Sequence, residues 1–317
     1  MMTEQEALDC HSHAQELQNA GEHEEASAGF ALAADYFEAA EGLDSPDRAN
    51  VLLDWSESLA ALCRYQEAEE KAREGKRIVD VVRPLLDAES GALMGLRANS
   101  VWGRTLRELG RYEEAAAPIL QAVRDAENYY GRDAAEVVAY LNEYGVLCKY
   151  WGHYEEGEHY YLRALAILER EFGKDAPETA TLYHNLGGLE HTRGDFLKGE
   201  PLGRKAYEIR RAQMGEECDE TMADAVAWGG LLDGLERYGE SVPIYRRALA
   251  YYEKRFGPDH FEVAATLNNL GLARAAQGDL REAREVLARC LAIKRKLFAE
   301  DHPEVRLTRE NLASLEG

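Results

Sequence analysis

The chain has 317 residues, with 59 acids against 37 bases and a net charge of −22. A field of that sign repels phosphate backbones and anionic membrane surfaces, so neither nucleic acid nor a membrane is an expected partner. The apolar fraction of 45% exceeds what a disordered chain carries. No apolar stretch approaches a membrane span, and the acidic opening lacks the basic and apolar regions of a signal peptide, so a cytoplasmic protein is expected. The five cysteines, Cys10, Cys63, Cys148, Cys218 and Cys290, are odd in number and far apart, with no Cys-x-x-Cys. They read as buried, reduced thiols and not as a disulfide framework.

Along the chain a Gly-x-aromatic-x-Glu-Ala signature recurs. It runs from Gly21 to Ala26, Cys63 to Ala68, Gly110 to Ala115, Gly152 to Gly157, Gly194 to Gly199, Glu236 to Ser241 and Gly278 to Ala283. The closing residues are spaced 42, 47, 42, 42, 42 and 42 apart. A fixed period of this size predicts a helical solenoid, in which each helix–turn–helix unit buries its apolar face only by stacking on its neighbours. The expected repeats are 4–42, 46–90, 91–132, 133–174, 175–216, 217–258 and 259–300, with a half-repeat at 301–317 as a capping helix. Together they form one solenoid over 1–317. The longer second interval contains Pro84 and Gly91 and predicts a longer helix or loop there.

Each repeat can be numbered so that the turn residue is position 15. Position 7 is then His13, Trp55, Trp102, Tyr144, Leu186, Trp228, Leu270 and Leu312. Position 8 is Ala14, Ser56, Gly103, Gly145, Gly187, Gly229, Gly271 and Ala313. A mid-helix Gly costs about 1 kcal/mol against Ala, so its recurrence implies a steric need. The small residue lets the second helix (B) approach the first (A), and the large one fills the space between neighbouring repeats. At the junctions, Asp133-x-x-Glu136, Asp175-x-x-Glu178, Asp259-x-x-Glu262 and Asp301-x-x-Glu304 predict capping boxes with Asp as N-cap. Pro177 and Pro303 fit the first helical turn, and Gly173 and Gly257 fit the ends of the preceding helices.

These features resemble the tetratricopeptide repeat family, and within it the kinesin-light-chain type with its 42-residue unit. Thr266 to Gly271, Gly278 to Ala283, Leu291-Ala292-Ile293, Tyr112 to Ala115 and His302 to Val305 carry the resemblance. It is strong from about residue 91 to the end and looser before that. It implies an all-α, right-handed superhelical solenoid of about seven helical hairpins plus a C-terminal capping helix. It also implies a concave wall lined by the A helices.

The wall should present positions 2, 5, 6, 9, 12 and 13, the face turned away from the core. In the third repeat this stripe includes Arg97, Val101, Arg104 and Arg107. The fourth gives Asn142, Val146, Lys149 and Tyr150; the fifth gives His184, Asn185 and His191; the seventh gives Asn268 and Asn269. Arg can clamp a carboxylate in bidentate fashion, and an Asn amide can donate to and accept from an extended backbone. These twelve residues other than Val101 (Arg97, Arg104, Arg107, Asn142, Val146, Lys149, Tyr150, His184, Asn185, His191, Asn268, Asn269) are the candidate peptide-binding set. The predicted partner is a protein or peptide with an acidic segment near an aromatic or aliphatic anchor. Kinesin-light-chain-like grooves hold acidic peptides around an aromatic residue, so the resemblance implies the same.

No catalytic, metal or cofactor site is expected. In the repeat register Cys10 and His13 face the core while His11 faces the groove, so Cys10-His11-Ser12-His13 cannot share one ion. His184 and His191 lie on one face but about 10 Å apart. The paired glutamates at 24–25, 113–114 and 155–156 recur in the turns and mark scaffold. Phosphate-loop, nucleophile-elbow and zinc-protease motifs are absent from the sequence. The expected function is a non-enzymatic adaptor. The alternatives are a structural or self-associating scaffold and a regulatory subunit controlling a partner protein.

Overall fold

The computed structural model describes residues 3–315. Met1, Met2, Glu316 and Gly317 lie outside the described residues, and with them the expected polar role of Glu316 in the cap. Fifteen α-helices follow one another among the described residues. They are α1 (Glu4–Asn19), α2 (His23–Glu41), α3 (Pro46–Ala61), α4 (Tyr65–Val82), α5 (Ala88–Glu108), α6 (Tyr112–Tyr130), α7 (Val138–Trp151) and α8 (Tyr154–Phe172). Then come α9 (Pro177–Arg193), α10 (Phe196–Met214), α11 (Asp219–Gly234), α12 (Tyr238–Phe256), α13 (Phe261–Ala276), α14 (Leu280–Leu297) and α15 (Pro303–Ala313). Two compact units result, Met1–Ile167 and Leu168–Gly317, and the division falls within α8.

The turn signature has a backbone cause. All seven position-15 residues adopt positive φ: Gly21 83°, Cys63 57°, Gly110 72°, Gly152 84°, Gly194 82°, Glu236 59° and Gly278 85°. A Cβ added at any of these glycines would meet nothing within 4 Å, so the requirement is the left-handed backbone and not space. Cys63 and Glu236 take that conformation at a cost of about 1 kcal/mol each.

Position 8 answers to space instead. A Cβ on Gly145 would lie 2.5 Å from the Tyr161 ring, one on Gly229 2.7 Å from Tyr245, and one on Gly271 2.6 Å from Leu287. One on Gly103 would overlap Ile119. Each of these partners stands at position 24, on the helix B of the same hairpin. In the fifth repeat both positions are glycine; Gly187 and Gly203 approach backbone to backbone, and Leu231 of α11 covers them. Two of the bulky position-7 residues, Trp55 and Trp228, reach back to the preceding hairpin. Trp55 Nε1 donates to Ser27 Oγ on α2 at 2.6 Å, and Trp228 Nε1 donates to Glu200 on α10 at 3.1 Å while stacking on Tyr207. Trp102 packs against the N-terminal core, and Tyr144 is buried. His13 differs: it is exposed beside Glu16.

Four junction expectations need correction. Asp175, Asp259 and Asp301 are not N-caps; the caps are Ala176, His260 and His302. The Nδ1 atoms of His260 and His302 accept from the Glu262 and Glu304 amides at 3.2 and 3.3 Å, so the imidazole does what the carboxylate was expected to do. Before α7 the chain makes a 3-10 turn, Ala135–Val137, led by Ala134 in place of Asp133. The capping box that does form is Thr3 with Glu6. Pro177 and Pro303 open their helices as expected. Only Cys148 and Cys290 are buried; Cys63 is exposed, and all five thiols are free.

The extra five residues of the second interval lie at the start of α5. Its first residue stands 27 before Ala115, whereas α3, α9, α11 and α13 begin 22 before theirs. The third helical hairpin therefore opens at Ala88, capped by Asp87, and not at Gly91. A short 3-10 turn, Arg83–Leu85, precedes it.

Candidate functional site

In the N-terminal unit α3 and α5 are successive A helices, and a trough lies between them. Three cavities mark it, in order along α5. The first, of about 340 Å³, is lined by Pro46, Asn50, Leu86, Ser90, Leu93, Met94 and Arg97. The second, also about 340 Å³, is lined by Glu57, Leu93, Leu96, Arg97, Ser100, Val101, Arg104, Tyr130 and Tyr140. The third, about 270 Å³, is lined by Glu57, Ala60, Ala61, Tyr65, Val101, Arg104, Thr105 and Glu108.

Two ion pairs cross the trough as rungs. Arg97 bonds the buried carboxylate of Asp54, and Arg104 bonds Glu57 at 2.6 Å. Asp54 also receives His11 Nε2 at 2.7 Å and Gln15 Nε2 at 3.0 Å from α1. Burial by itself would raise the Asp54 carboxyl, but the His11 hydrogen bond, the Arg97 charge and the Gln15 amide hold it below the usual carboxylate range.

The three arginines of the predicted stripe are thus charge-compensated. Arg107 goes furthest: its side chain is 13% exposed and bridges Glu108 at 3.0 Å and Glu143 of α7 at 3.1 Å. It ties α5 to α7 and does not line any of the three cavities. Val101, placed by the stripe rule on the open wall, is 2% exposed and forms the trough floor.

On α7, Asn142, Val146 and Lys149 are half-buried and Tyr150 is exposed. The Lys149 ammonium sits 5.6 Å over the Tyr150 ring, and burial lowers its pKa. In the C-terminal unit, His184 Nδ1 lies 2.7 Å from the buried Asp224, which also pairs with Arg210 at 2.5 Å. Asn185 is half-buried on the same helix, and His191 packs edge-on against Phe196. Asn268 accepts from Asn311 Nδ2 at 3.3 Å, so that pair closes on itself, with Asn269 half-buried beside it. The structure therefore brings Arg97 and Arg104 to one trough, leaves Arg107 on α5 paired to α7, and distributes the other candidates over α7, α9 and α13.

Sequence reasoning missed Asn50, Asp54, Glu57, Ala60 and Ala61. They occupy positions 2, 6, 9, 12 and 13 of the second repeat, so the stripe rule applied to that repeat finds them. Tyr130 and Tyr140 come from the α6–α7 junction and carry no in-register signal.

Paired helices around a left-handed turn, with A helices offering grooves beside them, define a helical-repeat scaffold of the kind that holds other chains. A tetratricopeptide repeat family model matches residues 152–212, 222–296 and 262–316. The chain belongs to the tetratricopeptide repeat family, and its fold is the all-α fold of that family. Comparison with curated proteins gave no sequence match. Among solved structures, the apo form of RapI is similar over 92% of this chain and 98% of its own, at 15% identity and a TM-score of 0.68. The nearly identical repeats of a putative kinesin light chain of Podosopora anserina match over 64% and 96%, at 19% identity and 0.55. The Rap conjugation gene regulator of plasmid pLS20, in complex with the Phr* peptide, matches over 94% and 74%, at 16% identity and 0.59.

Proposed function

We propose that this chain is a non-enzymatic adaptor that captures a protein or peptide segment, and that the trough between α3 and α5 is where the segment lies. The observation that carries this reading is the trough itself. It combines an apolar floor (Val101, Ala60, Ala61) with guanidinium, hydroxyl and phenol groups at its walls. A fold neighbour that holds a peptide supports the class of ligand. An acidic segment fits because a ligand carboxylate can reach the guanidinium nitrogens that the rungs leave over.

The test uses affinity capture from the native cell, read by mass spectrometry, with the wild-type chain and Arg104→Glu. Arg104 is 40% exposed, so the exchange leaves the core alone. Capture of the bound partner is expected to fall about ten-fold, as reversal of a contacting charge usually gives. Undiminished capture would remove the trough from the binding surface. Light scattering on the same sample addresses self-association: a monomer that still captures its partner excludes a scaffold built only from copies of itself.

A further inference from the structure

The proposed capture function leaves one feature unexplained: the five-residue extension of α5. It supplies Ser90 to the first cavity and continues into Leu93 and Met94; with Leu86 and Pro46 these make the lining mostly apolar. Hairpins of regular length have no counterpart to this segment, since their A helices begin five residues later in register. The chamber adjoins the second cavity through the shared residues Leu93 and Arg97.

The second chamber has a different chemistry, a surplus of hydrogen-bond donors. Arg97 spends one terminal nitrogen on Asp54 and Glu57, and Arg104 spends one on Glu57. The remaining guanidinium N–H groups of Arg97 and Arg104 make no further ion pair among the described residues. The Ser100, Tyr130 and Tyr140 hydroxyls add three more donors. Burial raises the Tyr140 phenol, which keeps it protonated and able to donate. Glu57 is the lone carboxylate in the lining. A carboxylate, with about four lone-pair sites and no donor, complements that surplus, whereas an ammonium or guanidinium does not.

Spacing links the two chambers. Leu93 and Arg97 are four residues apart on one helix face, about 6 Å along the axis. In an extended chain, alternate residues on one face are separated by about 6.6 Å. Resting on the adaptor reading above, we propose that the α5 extension builds a specificity pocket for an aliphatic side chain. The trough then takes an extended segment in which that residue is followed two positions later by Asp or Glu.

Fluorescence anisotropy with labelled decapeptide pools tests this. The pools fix Leu-x-Glu, Ala-x-Glu, Leu-x-Lys or Leu-x-x-x-Glu at the centre, with the other positions randomised among small polar residues. The wild-type chain should bind the Leu-x-Glu pool about ten-fold more tightly than the Ala-x-Glu pool, from burial of one leucine side chain in an open pocket. It should prefer it to the Leu-x-Lys pool by about the same factor, from the charge contrast. Leu93→Asp should erase the first preference and keep the second. Arg97→Gln should erase the second and keep the first. Leu93 is 37% exposed and the Arg97 side chain 33%, and Asp54 keeps its His11 and Gln15 donors, so both variants should fold, and Leu93→Ala serves if the aspartate does not. Equal affinity for all pools, or preference for Leu-x-x-x-Glu, would overturn the proposal. If Arg104→Glu still abolishes cellular capture in that case, the adaptor reading stands and only this register is wrong. Absence of pool binding together with undiminished capture overturns both.

Discussion

Replacing Tyr245 by Ala should destabilise the C-terminal unit by about 4 kcal/mol, the usual cost of deleting a fully buried aromatic side chain. Its ring is 0% exposed and packs against the α-carbon side of Gly229. Two periods earlier Tyr161 stands against Gly145 in the same way, also 0% exposed, and its truncation should cost about as much. Phenylalanine separates the two sites. The Tyr245 hydroxyl donates to Asp233 at 2.6 Å, and burial raises that carboxyl even though Ser241 and Tyr245 both donate to it. Removing the hydroxyl withdraws one of those donors and should cost about 2 kcal/mol. The Tyr161 hydroxyl is buried with no hydrogen-bond partner among the described residues. Tyr161→Phe should therefore be neutral or stabilise by about 1 kcal/mol, because a buried unpaired hydroxyl carries a desolvation cost. Urea unfolding of the four variants reads this. Equal effects of the two phenylalanine substitutions would mean that the hydroxyls share one environment, against the geometry.

The fold was legible because the same steric demand is written many times. A glycine that must accommodate Ile119, Tyr161, Tyr245 or Leu287 recurs at one register position, and a left-handed turn residue recurs at another. Repetition let each be read without knowing its partner. Single events were harder. The Asp-x-x-Glu pattern satisfied the capping rule in spacing, yet the helix begins one residue later, because His260 and His302 offer Nδ1 at the position where the first turn closes. The candidate site was half legible. Arg97 and Arg104 do face the trough, but their carboxylates lie 43 and 47 residues away in the preceding repeat. A stripe read one repeat at a time sees the cations and not the acids beside them. The cavity at the start of α5 follows from the insertion, whose length the sequence displays but whose placement depends on where the helix starts.

The Asp54 rung connects stability to the trough, and its removal should have a large effect on the N-terminal unit. Asp54 is 4% exposed and gathers His11 and Gln15 from α1 and Arg97 from α5, while Gln18 donates to its backbone carbonyl at 3.0 Å. In Asp54→Ala the His11, Gln15 and Arg97 donors lose their carboxylate acceptor, while Gln18 keeps the backbone carbonyl. The expected cost is about 3 kcal/mol, the low end for breaking a buried pair, since Arg97 remains one-third exposed. The pH dependence follows from the direction of the shift. The folded carboxyl titrates below its unfolded value, so its contribution is complete above the unfolded pKa of about 4 and disappears as pH falls through the folded value. The gap between wild type and Asp54→Ala should therefore be full at neutral pH and shrink as the pH falls below the unfolded pKa of about 4. Hydrogen exchange of the α1, α3 and α5 amides localises the effect to the three helices that Asp54 joins, and α13 and α14 serve as the internal control. A gap that persists unchanged into acid would mean that Asp54 contributes by packing and not by charge. Arg97 would then be free to serve a ligand without weakening the helices beneath it.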